Sequence, residues 1–439
     1  ESAPSAESRS GSRSIDKRIG LIETRAEHLT MNKTNANGFV PIDQPYTLVI
    51  PIPCFVDESG AIWLERSWNH DLVEHLSYLR NFVLCAPRVR KGTEPDLVRF
   101  EPPAGTRIAF AFLPPQTSYL RAWVNIPRTA FALWRAIGRT SIVHSGVNGW
   151  PYPLAWIANP IALLRRKRLV INVESDWKYN VPGRESLKDR LLDMDPIRFR
   201  LARYFCNRAD LALFTQSRYL EALCTRAGEN AYVTPAVWVN DEDILTQADG
   251  EAAWALKLRE PVRLLFAGRL ALAKGTAVLL EALRRLEARG SRVRVDIIGQ
   301  GDERDACVEV ASQLRSVRLR VLDPVPYGKP FFDLLRGYHA LLVPSLTNEQ
   351  PRVVFDANAQ AVPVIAADTD GLRPHVEHEK TGWLVHAGDV EGLAAAITRA
   401  DSSVGELRAL GLEALRATHG NTHKAMHRRR SQLLAKHCS

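Results

Sequence analysis

Two cations, Arg269 and Lys274, lie in a stretch that changes character around them. The apolar run Val262 to Ala267 predicts a buried strand that stops at Gly268. After Gly275-Thr276 the spacing of Leu279, Ala282, Leu283 and Leu286, with Glu281, Arg284, Arg285 and Glu287 between them, predicts an amphipathic helix. Arg269 and Lys274 therefore belong to a strand-to-helix loop. In open α/β sheets such loops gather at the carboxyl ends of the strands, where ligands bind. The chemistry that suits them is a diphosphate, because Arg grips oxygens in a two-pronged fork and Lys adds a point charge. Two solvated loop cations would read the same way.

Other residues fall at comparable places. Gly299-Gln300-Gly301 follows a strand and precedes a helix, as a tight turn or a close backbone approach to a nucleotide requires. In the run Leu342 to Ala357, Pro351 is expected near the first position of a helix, whose first-turn amides would face an anion. Asp356 lies further along that helix and could offer a carboxylate to ribose hydroxyls, or simply be a solvated acid. His144, Glu174 and Ser217 each end a predicted strand, and serve either the site or the structure, the last two as helix caps. Three Asp-x-Asp triplets occur, Asp193-Met194-Asp195, Asp241-Glu242-Asp243 and Asp368-Thr369-Asp370. Such a triplet can hold a divalent ion on a diphosphate. With Arg269 and Lys274 supplying positive charge, no metal is expected.

The elements that position these residues alternate strand and helix. Strands are predicted at 46–52, 81–86, 141–144, 168–174 and 210–215, then at 262–267, 293–298, 319–322, 340–343 and 362–366. In the second set helices are expected at 275–289, 302–314, 330–336 and 351–360. This is the βαβ pattern of a parallel, doubly wound sheet, present twice. A polar, proline-bearing connection, Thr234 to Asp243, separates the two sets. Right-handed crossovers place the loop ends of each sheet on one edge, so two facing domains would share a cleft.

The stretch Gly268 to Gly275 resembles the Gly-Arg-Leu-x-x-x-Lys-Gly signature of retaining GT-B glycosyltransferases, family 4, and the resemblance runs on to about Asp389. It implies an α/β GT-B fold of two facing Rossmann-like domains, and transfer of a hexose from a nucleotide sugar to an acceptor hydroxyl in polysaccharide or glycolipid assembly. Arg269 and Lys274 would bind the donor diphosphate and serve catalysis with His144. Gly268, Gly301, Val325, Tyr327, Pro351, Arg352, Val353 and Asp356 would contact the donor. The family carries Glu-x7-Glu where this chain has Asn348 and Asp356, with Glu349 one place late, so either Asn348 or Glu349 would meet the sugar. Glu174 and Ser217 are the acceptor candidates. The nucleotide sugar is a substrate, and no cofactor is implied. A non-catalytic sugar-nucleotide-binding partner of another transferase, or a sugar-nucleotide epimerase, is the alternative.

The resemblance divides the chain into a disordered tail (1–45), an acceptor domain (46–238), a nucleotide-sugar domain (239–415) and a terminal helix crossing back to the first domain (416–439). The tail is rich in Ser, Arg, Glu and Asn, and no secretory signal is expected in it. Six scattered cysteines without a Cys-x-x-Cys pair argue against zinc and against a disulfide framework and suit the cytoplasm. The net charge of +9 is uneven, with 31 Lys and Arg against 23 Asp and Glu in residues 1–240 and 27 against 26 in the rest. That excess suits an anionic membrane surface or an anionic acceptor, no nucleic-acid-binding motif accompanies it, and the resemblance implies a glycan or lipid-linked acceptor. Trp150, Tyr152 and Trp156 before Arg165-Arg166-Lys167-Arg168 are the candidates for a peripheral membrane contact. For the stretch Tyr119 to Gly138, with Trp123, Phe131 and Trp134, ordinary helix packing is preferred.

Overall fold

The computed structural model describes residues 34–439 except 36, 93–95, 117, 150–151, 176–194, 226–228 and 419. The triplet residues Asp193 and Met194, Trp150 and most of the expected tail lie outside them. The chain forms two sheets, the first with a parallel body and an antiparallel extension and the second parallel throughout. Strands of the first are β1 (Tyr46–Val49), β2 (Cys54–Val56), β3 (Ile62–Glu65), β4 (Asn81–Arg90), β5 (Leu97–Arg99), β6 (Arg107–Leu113), β7 (Ile142–Gly146), β8 (Arg168–Val173), β9 (Leu211–Phe214) and β10 (Ala231–Val233). The parallel body runs β6-β4-β1-β7-β8-β9-β10. The far end of β4 leaves it to pair β2, which continues antiparallel through β3 to β5. Three-residue strands such as β2, β5 and β10 are too short for alternation to show, so the sequence pattern did not reveal them.

The second sheet comprises β11 (Arg263–Ala267), β12 (Arg294–Ile298), β13 (Arg318–Leu322), β14 (Ala340–Val343), β15 (Val364–Asp368) and β16 (Gly382–His386). Its order, β13-β12-β11-β14-β15-β16, is all parallel and reverses direction between β11 and β14. The first sheet reverses in the same way between β1 and β7. Along β11, Leu264 and Phe266 pack with Leu279 and Leu283 of helix Thr276–Ala288, while Leu265 packs on the opposite face with Val354 and Phe355. Each such fully buried side chain contributes about 1.5–3 kcal/mol, which is why β11 is apolar without alternation.

Between the sheets the chain crosses at residues 234–240 and returns before helix His423–Cys438. The two passages touch where the His423 amide donates to the Val239 carbonyl (2.8 Å). Leu433, Leu434 and Cys438 of that last helix join Tyr46, Leu48 and Leu84 in one core face of the first domain.

The end of the expected disordered tail is ordered. Phe39 is buried against Tyr78, the Val40 amide donates to Ser431 Oγ (3.1 Å), and the Ile42 amide donates to the Tyr78 carbonyl (2.8 Å). The short apolar run Phe39-Val40-Pro41-Ile42 has a groove to fill, which the polar composition before it conceals.

Candidate active site

Both reversal points open toward each other. At the second, the loop after β11 and the loop after β14 flank one cavity of about 510 Å³, lined among others by Gly268, Arg269, Val325, Tyr327, Val353 and Asp356. At the first, the ends of β1, β7 and β8 border a cavity of about 540 Å³ that includes His144, Glu174, Asp71, His75 and Arg430. Glu65, Ser67, Trp238 and Arg352 line both. The two cavities thus meet at a seam where the Arg352 guanidinium lies over the Trp238 ring, 4.4 Å from its centroid. Trp238 belongs to the connection between domains, and its neighbours Val237 and Val239 in sequence gave no hint of this position.

The loop after β11 is held by its glycine. Gly275 has φ +77°, and a Cβ there would lie 1.8 Å from the Pro344 carbonyl oxygen. Only a glycine lets the β11 and β14 loops close on each other at this distance. Arg269 reaches the cavity. Lys274 is not among the residues lining it, and its Nζ donates to Glu349 Oε2 at 2.9 Å. Of the two candidates for the sugar contact, Glu349 is therefore beside Lys274, and like Lys274 it is not among the residues lining the cavity. Asn348 instead accepts from the Asp370 amide through Oδ1 (3.2 Å), as part of the packing between two loops.

Helix Val353–Ala359 begins two residues later than expected, so Pro351 precedes the helix and Arg352 caps it. The first-turn amides are also not all open, because the Val354 amide donates to the Pro351 carbonyl (3.3 Å). Proline fixes its own φ but does not require the next residues to be helical at once. What this turn presents to the cavity is Arg352 and Val353. Asp356 is buried, and Tyr327 Oη donates to its Oδ1 at 2.9 Å. Burial pushes the Asp356 carboxyl up to about 7, against the opposing pull of Tyr327 and Arg352. Burial and the neighbouring Asp356 carboxylate raise the Tyr327 hydroxyl, which keeps its proton.

Gly301 lies outside the cavity lining. Its Cα packs on the loop carrying Arg269, where a Cβ would meet the Leu270 carbonyl oxygen at 2.2 Å, so its absence of a side chain serves that loop's closure.

In the first domain His144 is buried, and its Nδ1 lies 2.7 Å from Tyr46 Oη. Burial, reinforced by the Arg430 charge, lowers its pKa well below the usual value, so the ring is neutral. Burial likewise keeps Tyr46 protonated. With the Tyr46 hydroxyl donating to Nδ1, the remaining ring nitrogen carries the proton and acts as a donor. Glu174 borders the same cavity. Ser217 is exposed as the first residue of helix Ser217–Leu223 and is not among the lining residues.

The triplets that lie within the described residues are otherwise engaged. Arg373 bridges Asp368 (2.7 Å) and Asp370 (3.2 Å), and Asp243 accepts from Asn240 (2.9 Å) in a single turn of 3₁₀ helix.

Residues 261–401 match the family model Glycosyl transferases group 1. The chain is similar to the amylovoran biosynthesis glycosyltransferase AmsK of Erwinia amylovora, 30% identical over 151 residues (32% of this chain, 36% of the relative). It is also similar to the D-inositol 3-phosphate glycosyltransferase of Rhodococcus jostii (strain RHA1), 35% identical over 178 residues (39% of each). These alignments span less than two fifths of the length of either relative. Similar solved structures extend over both domains. Sucrose-phosphate synthase from Thermosynechococcus elongatus superposes with a TM-score of 0.66 at 19% identity, covering 90% of this chain and 98% of that one. Anabaena HepE in complex with UDP-glucose gives 0.60 at 14%, covering 89% and 99%. The fold is GT-B, with two facing Rossmann-like domains. The family model and these curated relatives are glycosyltransferases.

Proposed function

We propose that this protein is a retaining glycosyltransferase that moves a hexose from a nucleoside-diphosphate donor to an acceptor hydroxyl in polysaccharide or glycolipid assembly. The observation that carries the reading is the seam at Trp238 and Arg352, which joins a cavity bearing Arg269 and Asp356 to one bearing His144 and Glu174. A donor seated in the second-domain cavity would have its sugar toward the first. Arg269 would hold the diphosphate and stabilise the charge that grows on it as the sugar departs, and Lys274 would add to that field. Glu349 is our assignment for the sugar contact, since Asn348 is used in packing its loop against that of Asp370. Asp356 keeps Oδ2 for ribose hydroxyls while Tyr327 holds Oδ1. His144 would donate to the sugar or the acceptor. Retention by attack on the same face rests on analogy with the resembled family. The names of the relatives in amylovoran and inositol-phosphate chemistry support a glycan or phosphate-bearing acceptor.

We assign no divalent ion to the diphosphate, because Arg373 already occupies Asp368 and Asp370. Adding Mg²⁺ or Mn²⁺ to protein dialysed free of both should leave turnover unchanged, and activity that appears only with either ion would overturn that assignment.

No helix among the described residues is long and apolar enough to cross a membrane. For peripheral contact at the cytoplasmic membrane face, the surface moves from the expected stretch to its neighbour. Tyr152 is buried and Arg168 is paired with Asp210 (2.7 Å), whereas Leu120, Val124 and Phe131 on the helices from Tyr119 to Gly138 are 76%, 69% and 63% exposed beside Arg121, Arg128 and Arg135. An anionic bilayer complements that apolar, basic face.

A panel of nucleotide sugars tests the function. One donor should raise the melting temperature, and its nucleoside diphosphate should be released on adding acceptor or slowly by hydrolysis. A clear shift with no release for any donor would favour a second reading, a non-catalytic binder, for which Asn348 in place of the family's acid is the motive.

A further inference from the structure

We infer that Asp71, His423 and His427 form a binding site for one divalent transition-metal ion, zinc in the first place, at the joint between the first domain and the terminal helix. The three residues come from helix Arg66–Leu76 and, more than 350 residues later, from successive turns at the start of helix His423–Cys438. Asp71 Oδ1 lies 3.2 Å from His423 Nε2 and 3.1 Å from His427 Nε2, and the two Nε2 atoms are 3.2 Å apart.

Hydrogen bonds alone fit this triangle poorly. A near-equilateral triangle has angles of about 60°, so two N–H groups would converge on one carboxylate oxygen at roughly half the separation of its lone pairs. The third side, nitrogen to nitrogen, then has no proton to share. If instead either ring turns a bare Nε2 inward to accept from the other, a lone pair faces the carboxylate. A divalent cation bound by all three lone pairs satisfies every side at once. For metal–nitrogen and metal–oxygen bonds of about 2.0–2.1 Å, the edge of a tetrahedron is about 3.3 Å, close to the distances found.

The donor set and its surroundings agree with this. Two imidazoles and one carboxylate suit zinc and its neighbours, and His-x-x-x-His on a helix puts both rings on one face. His427 Nδ1 meets Tyr78 Oη at 3.0 Å, which fixes the ring with Nε2 inward. The His423 ring is stacked on His70 with centroids 4.6 Å apart. A hydrogen-bonded outer partner such as Tyr78 is what orients a metal-ligating histidine. His75, whose Nδ1 lies 3.2 Å from Asp71 Oδ2, stands next to the site, and Asp71 and His75 also line the first-domain cavity, which gives an ion and a fourth-ligand water a route in. The set contains no cysteine, so cysteine spacing says nothing about it. A bound ion would pin the terminal helix, and with it Arg430, to the floor of that cavity. This inference does not depend on the transfer reading.

Metal content of the full-length protein purified without added chelator tests the site. One zinc per chain is expected, lost in the His423→Gln, His427→Gln double variant. Wild type stripped by chelator should remain folded, melt at a lower temperature, and recover on adding Zn²⁺. Titrated with Co²⁺ it should develop visible ligand-field bands of a tetrahedral site that end at one equivalent and vanish on adding Zn²⁺. The cobalt titration uses wild type alone and so holds even if the double variant fails to fold. No stoichiometric metal together with no cobalt bands in folded wild type would overturn the proposal, as would full metal content in a folded double variant.

Discussion

The two halves of the cleft share a sheet order and differ in how their charges are held. In the second domain Arg269 and Lys274 ride on a loop whose shape depends on the close approach of glycines such as Gly275 and Gly301, and the partner of Lys274 is the half-buried acid Glu349. In the first, Asp71, His75 and Arg430 are buried and tied to one another across helices distant in sequence, and His144 is buried against Tyr46. A loop of cations beside a cavity is built to take up and release an anion. A locked, buried network keeps its shape and selects by fit. The comparison assigns the changing charge of the reaction to the second domain and the fixed frame to the first.

Gly275→Ala should break the first of these most severely. The left-handed φ and the approach of Pro344 together cost about 2–4 kcal/mol, read as a lower melting temperature of the second domain. Donor binding should fall with it, because the loop can no longer close. If the variant melts and binds like wild type, the loop is not positioned by this contact.

Arg269→Ala should lower nucleoside-diphosphate affinity about tenfold or more without changing the melting temperature, since a charge-assisted contact contributes roughly 1.5–3 kcal/mol. Lys274→Ala should cost less, because Glu349 already competes for its ammonium. Equal binding by wild type and both variants, measured calorimetrically, would remove the diphosphate from this loop.

The loop at 268–275 was legible because everything it needs is local: an apolar strand, a glycine, two cations and a helix within one short run. The apposed loop was legible in part. Proline suggested the start of the helix at 351, and backbone bonding delays it to Val353. Asn348 and Glu349 stayed open because adjacent loop residues point different ways, and their separate partners, Asp370 and Lys274, tell them apart. The first-domain cavity was harder. His144 could be picked out by ending a strand, but Asp71, His75, Trp238 and Arg430 are scattered over unrelated segments, and nothing within one segment signals their meeting. The short strands β2, β3 and β5 escaped for the same reason that they are stable, pairing with distant partners rather than by their own pattern.

Asp356 sharpens the comparison by titration. Its folded pKa of about 7 lies above the unfolded value, so the stability that its acid form contributes is whole below about pH 4 and is lost as the pH rises through 7. Donor binding runs the other way, because ribose hydroxyls donate to the carboxylate. Affinity should rise by about tenfold between pH 6 and pH 8, following the ionised fraction. Asp356→Asn should flatten that rise and weaken donor binding about fivefold at pH 8, while melting no lower than wild type there. A pH profile unchanged by the substitution would mean that another group titrates.

The smallest effect belongs to the exposed face of the first domain. Wild type should float with anionic vesicles at low salt and less at high salt, as screening shortens the range of attraction. Leu120→Ser, Val124→Ser, Phe131→Ser should float less while transfer to a soluble acceptor is unchanged. Equal flotation by both proteins would place the contact elsewhere.

The central claim, that the charge created by the reaction is met by the second-domain loop, is tested most directly by following nucleoside-diphosphate release from the donor selected in the panel. Wild type and Arg269→Ala are compared at saturating acceptor. The account predicts steady release by wild type and a rate at least tenfold lower in the variant at equal melting temperature. Equal rates in the two proteins, with the donor saturating, would contradict it.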